Sequence, residues 1–118
     1  AFVANRTGMP VAIDELLAQG KPWEPIPQLR ALVLKPTLLG SLAHCEALVA
    51  RARELRLKVI VSSCFESGLG LNQLFHLAGE WAPDQAPGLD TKRWLAADLL
   101  DATGKPDLSL LEPLFHRD

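Results

Sequence analysis

The segment from Ala31 to Ser41, ALVLKPTLLGS, restricts the fold more than any other part of the chain. Ala31 to Leu34 is an uninterrupted apolar tetrad, the pattern of a parallel strand buried on both faces. It runs directly into Lys35. Pro36 follows, and proline donates no ladder hydrogen bond and pushes the residue before it towards extended geometry. The strand therefore ends at the lysine, which sets a cation at the carboxyl end of a buried strand. In α/β sheets that end is where ligands bind. Gly40 then permits a tight turn, and Ser41 is suited to cap a following helix.

The same punctuation recurs along the chain. Val11 to Ile13 is a short apolar strand that stops at Asp14 and Glu15. Lys58 to Ser63, KVIVSS, has a β-branched core and ends in a hydroxyl pair. Gly88 to Asp90 is a short extended piece. Between these lie two amphipathic helices. Leu42, Cys45, Leu48, Val49, Ala52 and Leu55 mark the first, while Leu71, Leu74, Phe75, Ala78 and Trp81 mark the second, with Ser67 as its cap. Pro22, Pro25 and Pro27 leave any helix between Leu16 and Leu29 short or broken, with Trp23 packing over it. Ala1 to Ala4 reads as the last turn of a helix whose start is missing, Asn5 to Pro10 as a turn, and Thr91 to about Leu100 as helical. A proline-containing tail follows.

The polar strand ends Asp14, Lys35, Ser62 and Gly88 are separated by about 21 to 27 residues, room for a strand, a crossover helix and their loops. The expected fold class is thus α/β, with parallel strands joined by crossover helices. A (β/α)8 barrel takes about 250 residues, so about four βα units form roughly half of a TIM-type barrel. All of residues 1–118 are read as one domain portion of that kind.

Composition narrows the partners. Twelve basic and 14 acidic residues give a net charge of −2, with no run of Lys and Arg to track a phosphate backbone, which argues against nucleic acid. No apolar stretch approaches the roughly 18 to 20 residues of a membrane span, and the first residues lack the basic and apolar regions of a signal peptide. The expectation is a soluble, cytoplasmic chain. Cys45 and Cys64 have no metal-ligand or CxxC spacing, so neither a structural disulfide nor a zinc site is expected.

Polar clusters at the carboxyl ends of neighbouring parallel strands converge on one face, the arrangement of barrel enzymes. Asp14 is a hard oxygen ligand suited to Mg2+, yet one carboxylate does not make such a site, and Asp14 with Glu15 also suits a helix N-terminus. Lys35 reads as a catalytic cation or as a lysine reaching out to solvent. Ser62 and Ser63 read as turn formers or as hydroxyls that, ahead of a helix start, hold an anion. His44 and His76 lie on helices and His116 in the tail, away from any strand end. No GxSxG elbow, P-loop or GxGxxG is present.

With these residues in place the chain resembles a known family. IDEL at 13–16, VLKPTLLGSL at 33–42, VSSCFESGLGLNQL at 61–74 and PGLDT at 87–91 are similar to the carboxyl-terminal part of the o-succinylbenzoate synthases, in the muconate-lactonising branch of the enolase superfamily. The resemblance covers roughly residues 1 to 100, and the order and spacing of four motifs carry it. Enolase-superfamily sites pair a lysine or histidine base with Mg2+ on an ene-diolate.

The resemblance implies a (β/α)7β barrel with an amino-terminal capping domain, of which this chain supplies the fifth to eighth strands. It implies that Asp14 is the last of three metal-binding carboxylates and that Lys35 is the catalytic lysine closing the sixth strand. Ser62, Cys64 and Gly88, with Ser63 beside them, fall where the substrate's succinyl carboxylate is held. Cys64 stands where relatives often carry serine, and Leu16 where they often read D-E-S. The implied reaction is a Mg2+-dependent syn dehydration of 2-succinyl-6-hydroxy-2,4-cyclohexadiene-1-carboxylate to o-succinylbenzoate, in menaquinone biosynthesis. The family's general base lies in a K-x-K motif on the second strand, which these residues lack, so the chain alone is expected to be inactive. Its open barrel edge is expected to favour self-association. Two other readings are an N-acylamino-acid or dipeptide racemase of the same superfamily and a non-catalytic α/β interaction domain.

Overall fold

A computed structural model describes residues 2–110, with the side chains of residues 2 and 3 left aside; His116 and the end of the expected tail lie outside the described residues. Three strands, β1 (Val11–Ile13), β2 (Leu29–Leu34) and β3 (Lys58–Val61), form one sheet in the order β1-β2-β3, and both pairings are parallel. A parallel pair requires a crossover. That from β1 to β2 holds the short α2 (Glu15–Ala18) and the proline-rich segment, and that from β2 to β3 holds α3 (Pro36–Leu39) and α4 (Leu42–Glu54). A longer helix, α5 (Gly68–Trp81), follows β3.

In β2 and β3 the side-chain alternation sorts the apolar residues. Leu32 pairs with Val59 and Leu34 with Val61, so these four share a face. Against it pack Cys45, Val49 and Ala52 of α4 and Leu74, Ala78 and Trp81 of α5. Leu32, Leu34, Val61 and Cys45 are the largest fully buried side chains, and each such aliphatic residue contributes about 1.5–3 kcal/mol. The opposite face carries Ala12, exposed, and Val33 and Ile60, half-buried. The tetrad expected to be buried on both faces is thus covered by helices on one. Leu42 and Phe75, expected on the apolar stripes, are 54% and 63% exposed. Leu42 is the first residue of α4, a turn before Cys45, and Phe75 stands one position off the Leu74–Ala78–Trp81 stripe.

Helix starts follow local chemistry. Ser41 accepts from His44 N at 3.2 Å and Ser67 from Gly70 N at 3.5 Å, as their N-cap positions require. Gly40 has φ +96°, the left-handed region that glycine enters freely. Asn5 to Thr7, expected as a turn, belong to α1 (Phe2–Thr7).

The fourth βα unit is reduced. Gly88 meets the end of β3 in a single parallel bridge to Ser62 and extends into no longer ladder. The helix expected from Thr91 to Leu100 shrinks to a 3-10 turn, Lys92–Trp94, ending at an extended Leu95. Asp98 explains the loss: its Oδ1 accepts from Leu99 N at 2.8 Å and from Gly68 N at 2.6 Å, 30 residues away. What the structure shows is a three-stranded parallel sheet with its helices, consistent with part of a TIM-type barrel. No helix among the described residues is long and apolar enough to cross a membrane.

Candidate active site

Continuing the alternation beyond the Leu34–Val61 pair puts Lys35 and Ser62 side by side on the face away from the helices, where Ser62 N donates to Leu34 O at 2.8 Å. Asp14 lies at the end of β1 next to them. Lys35 Nζ stands 2.9 Å from Asp14 Oδ1 and 2.9 Å from Oδ2, and 3.6 Å from Glu15 Oε1. Asp14 occupies the N-cap position of α2, but its side chain makes no capping bond there. The carboxylate turns to the lysine, an ion pair not expected from the sequence, and leaves the helix start uncapped. The Lys35 side chain is 19% exposed and is not stretched into solvent.

The electrostatics agree with this geometry. The hydrogen bond to Asp14 raises the Lys35 pKa, against the opposing effect of burial, and the charges of Asp14 and Glu15 raise it further. Glu15 is held below the ordinary carboxylate range by its own backbone N–H and then by Lys35. The site is therefore an ammonium fixed between two acids across two strand ends. Glu15 was legible only as a helix-start acid, and its approach to Lys35 depends on the pairing of β1 with β2.

The second half of the rim is built from β3 and the Gly88 segment. Ser63 N donates to Gly88 O at 3.0 Å, and Gly88 N donates to Val61 O at 2.9 Å. Ser62 Oγ donates to Gly88 O at 3.3 Å. Ser63 is buried, and its hydroxyl lies 3.2 Å from Gly88 O and 3.0 Å from Thr91 Oγ1. The two serines thus differ: Ser62 remains half-buried at the rim, while Ser63 fastens the Gly88 segment from beneath. Cys64 is a half-buried free thiol beside them. The first amide of α5, which a helix start offers to an anion, is occupied by Asp98, and Asp98 in turn pairs with Lys92 at 2.7 Å. Those contacts hold the Asp98 carboxyl below its ordinary range, the Lys92 hydrogen bond first.

Among the described residues no three His, Cys, Asp or Glu side chains gather to hold a metal ion. Asp14 has the right chemistry for one ligand, but both its oxygens contact an ammonium, so the described donors do not by themselves fit a Mg2+ ion.

Comparison with known proteins identifies relatives along nearly the whole chain. It is 38% identical over 110 residues to the o-succinylbenzoate synthase of Haemophilus influenzae, covering 92% of this chain and 33% of the relative. It is 40% identical over 103 residues to that of Pasteurella multocida, covering 83% and 29%, and 41% identical over 115 residues to that of Pectobacterium atrosepticum, covering 83% and 36%. The chain spans about a third of the length of the curated relatives it matches. No family model matches it.

Proposed function

We propose that this chain, a homologue of the o-succinylbenzoate synthases, supplies part of the active-site rim of such an enzyme, a carbon–oxygen lyase that dehydrates a cyclohexadiene carboxylate to o-succinylbenzoate in menaquinone biosynthesis. The observation that supports it best is the pairing of Asp14 with Lys35 at the carboxyl ends of adjacent parallel strands, with Ser62 level with the lysine on the next.

The chemistry asks for charge. A proton α to a carboxylate leaves only if the enediolate that forms is stabilised, and a fixed cation is most effective where that charge develops. Lys35 holds its ammonium at the rim with its proton retained by Asp14, so it acts as an electrostatic partner of the enediolate. Ser62 Oγ, Cys64 and the backbone at Gly88 form the adjoining edge, where a second carboxylate of the substrate is held. Ser63 keeps Gly88 in place. Asp14 would be one ligand of a divalent metal whose other ligands the described residues do not include. Nor does the sequence contain a K-x-K pair to act as general base. On its own the chain is therefore not expected to turn over.

The test is Lys35→Ala in the protein that carries this chain. Loss of an electrostatic group acting in the transition state lowers kcat by about 10²–10³-fold with little change in KM. Unchanged turnover would refute the assignment and leave the sheet as a packing scaffold.

A further inference from the structure

Two residues of the strand-end motifs take no part in the chemistry above, yet they join its two halves. Thr37 lies two positions beyond Lys35, and Glu66 two beyond Cys64. Thr37 Oγ1 donates to Glu66 Oε1 at 2.6 Å. Thr37 belongs to α3, whose turn hangs from the lysine: Leu38 N and Leu39 N donate to Lys35 O at 2.9 and 3.1 Å. Glu66 directly precedes Ser67, the cap of α5.

The carboxylate is confined on its other side. A Cβ placed on Gly70 would lie 2.9 Å from Glu66 Cβ and 3.3 Å from its Cγ, so glycine at 70 makes room for this side chain. The second carboxylate oxygen, Oε2, is buried without a hydrogen-bond partner among the described residues. A buried oxygen left in that state is unfavourable, and it persists only where surrounding contacts fix the group. The β2–β3 ladder closes with Ser62 N donating to Leu34 O. Past that point, the Thr37–Glu66 bond is the only hydrogen bond among the described residues that spans the two turns.

We propose that Thr37 and Glu66 form a clasp that sets the spacing between the Lys35 turn and the Ser62–Cys64 turn, with Glu66 as a positioning residue for the rim. Naming that rim a substrate site rests on the function proposed above; the clasp itself does not.

The clasp is tested without substrate by the rate at which iodoacetamide alkylates Cys64 in the purified chain. Cys45 is fully buried and its thiol pKa is raised by burial, so it stays silent. Thr37→Val should speed Cys64 alkylation by about three- to tenfold, the range for net loss of one hydrogen bond open to solvent. Thr37→Ser keeps the hydroxyl and should restore the native rate, and Gly70→Ala should reproduce the acceleration with Thr37 intact. A native rate in Thr37→Val, or a Thr37→Ser variant as fast as Thr37→Val, overturns the clasp. In the protein that carries this chain, Thr37→Val should raise KM more than it lowers kcat, and unchanged KM alongside faster alkylation overturns the positioning role. Because alkylation involves no turnover, a negative result there leaves the Lys35 assignment standing, and failure of that assignment leaves the alkylation result standing.

Discussion

Removing the Lys35 ammonium while keeping its apolar stem, as in Lys35→Met, isolates the ion pair at the strand ends. The side chains involved are 19% exposed for Lys35 and 33% for Asp14, between the regime of surface pairs and that of buried ones. Exposed pairs contribute about 0.2–1 kcal/mol, whereas breaking a buried pair costs about 3–5 kcal/mol, much of it from the charge left behind. With contacts of 2.9 Å to both Asp14 oxygens, the coupling between Lys35 and Asp14 should be about 1–2 kcal/mol.

Lys35→Met, Asp14→Asn and the double variant, unfolded in urea, give that coupling from the double-mutant cycle. At a slope of about 1–2 kcal/mol per molar, the Lys35→Met midpoint should fall by roughly 1 M. The pH dependence adds a check. The folded-state pKa of Lys35 is raised, so its contribution is complete below the unfolded value of about 10.4 and is lost as pH rises through the higher folded value. Glu15 is lowered, so its share is present above its unfolded value of about 4.3 and is lost as pH falls through the lower folded value. The gap between native chain and Lys35→Met should be level from about pH 5 to 10 and narrow on both sides. A coupling under about 0.3 kcal/mol, or a gap indifferent to alkaline pH, would show that the ammonium does not hold Asp14.

Two further outcomes follow from the packing. Gly68→Ala would drive a methyl to 2.5 Å from Asp98 Oδ2 and 2.6 Å from Leu100 Cδ1, so it should destabilise the chain by about 1–3 kcal/mol in urea unfolding, and a neutral result would place Asp98 elsewhere. The outer edge of β1 pairs with no strand among the described residues, and its sheet face shows Ala12, Val33 and Ile60. A second copy should pair there at high concentration, giving a dimer by light scattering that Ala12→Lys suppresses; a clean monomer would count against it.

Strands and long helices were legible because each is written locally. An apolar run closed by a charge or a hydroxyl gave β1, β2 and β3, and helical spacing behind Ser41 and Ser67 gave α4 and α5. The turn of α3 was also written, in Pro36 at the first helical position and Gly40 after the last, though the proline reads first as a strand terminator. The segment after Thr91 could not be read this way. Its fate depends on Asp98 reaching Gly68 and Lys92, contacts that no local window contains.

The same distinction governs the site. Asp14, Lys35, Ser62, Ser63 and Gly88 are all polar or small residues at strand ends, and by type alone each qualifies equally for ligand binding or for structure. Long-range partners separate them. Ser63 finds Gly88 and Thr91 beneath the rim and becomes a fastening, and Asp98 fills the helix start that an external anion would otherwise use. Asp14 passes over its own helix for Lys35, which brings opposite charges together at the ends of adjacent strands. An ammonium has three protons, and three carboxylate oxygens lie within 3.6 Å of this one, both of Asp14 and one of Glu15. Any anion that approaches Lys35 must therefore compete with acids the chain supplies itself.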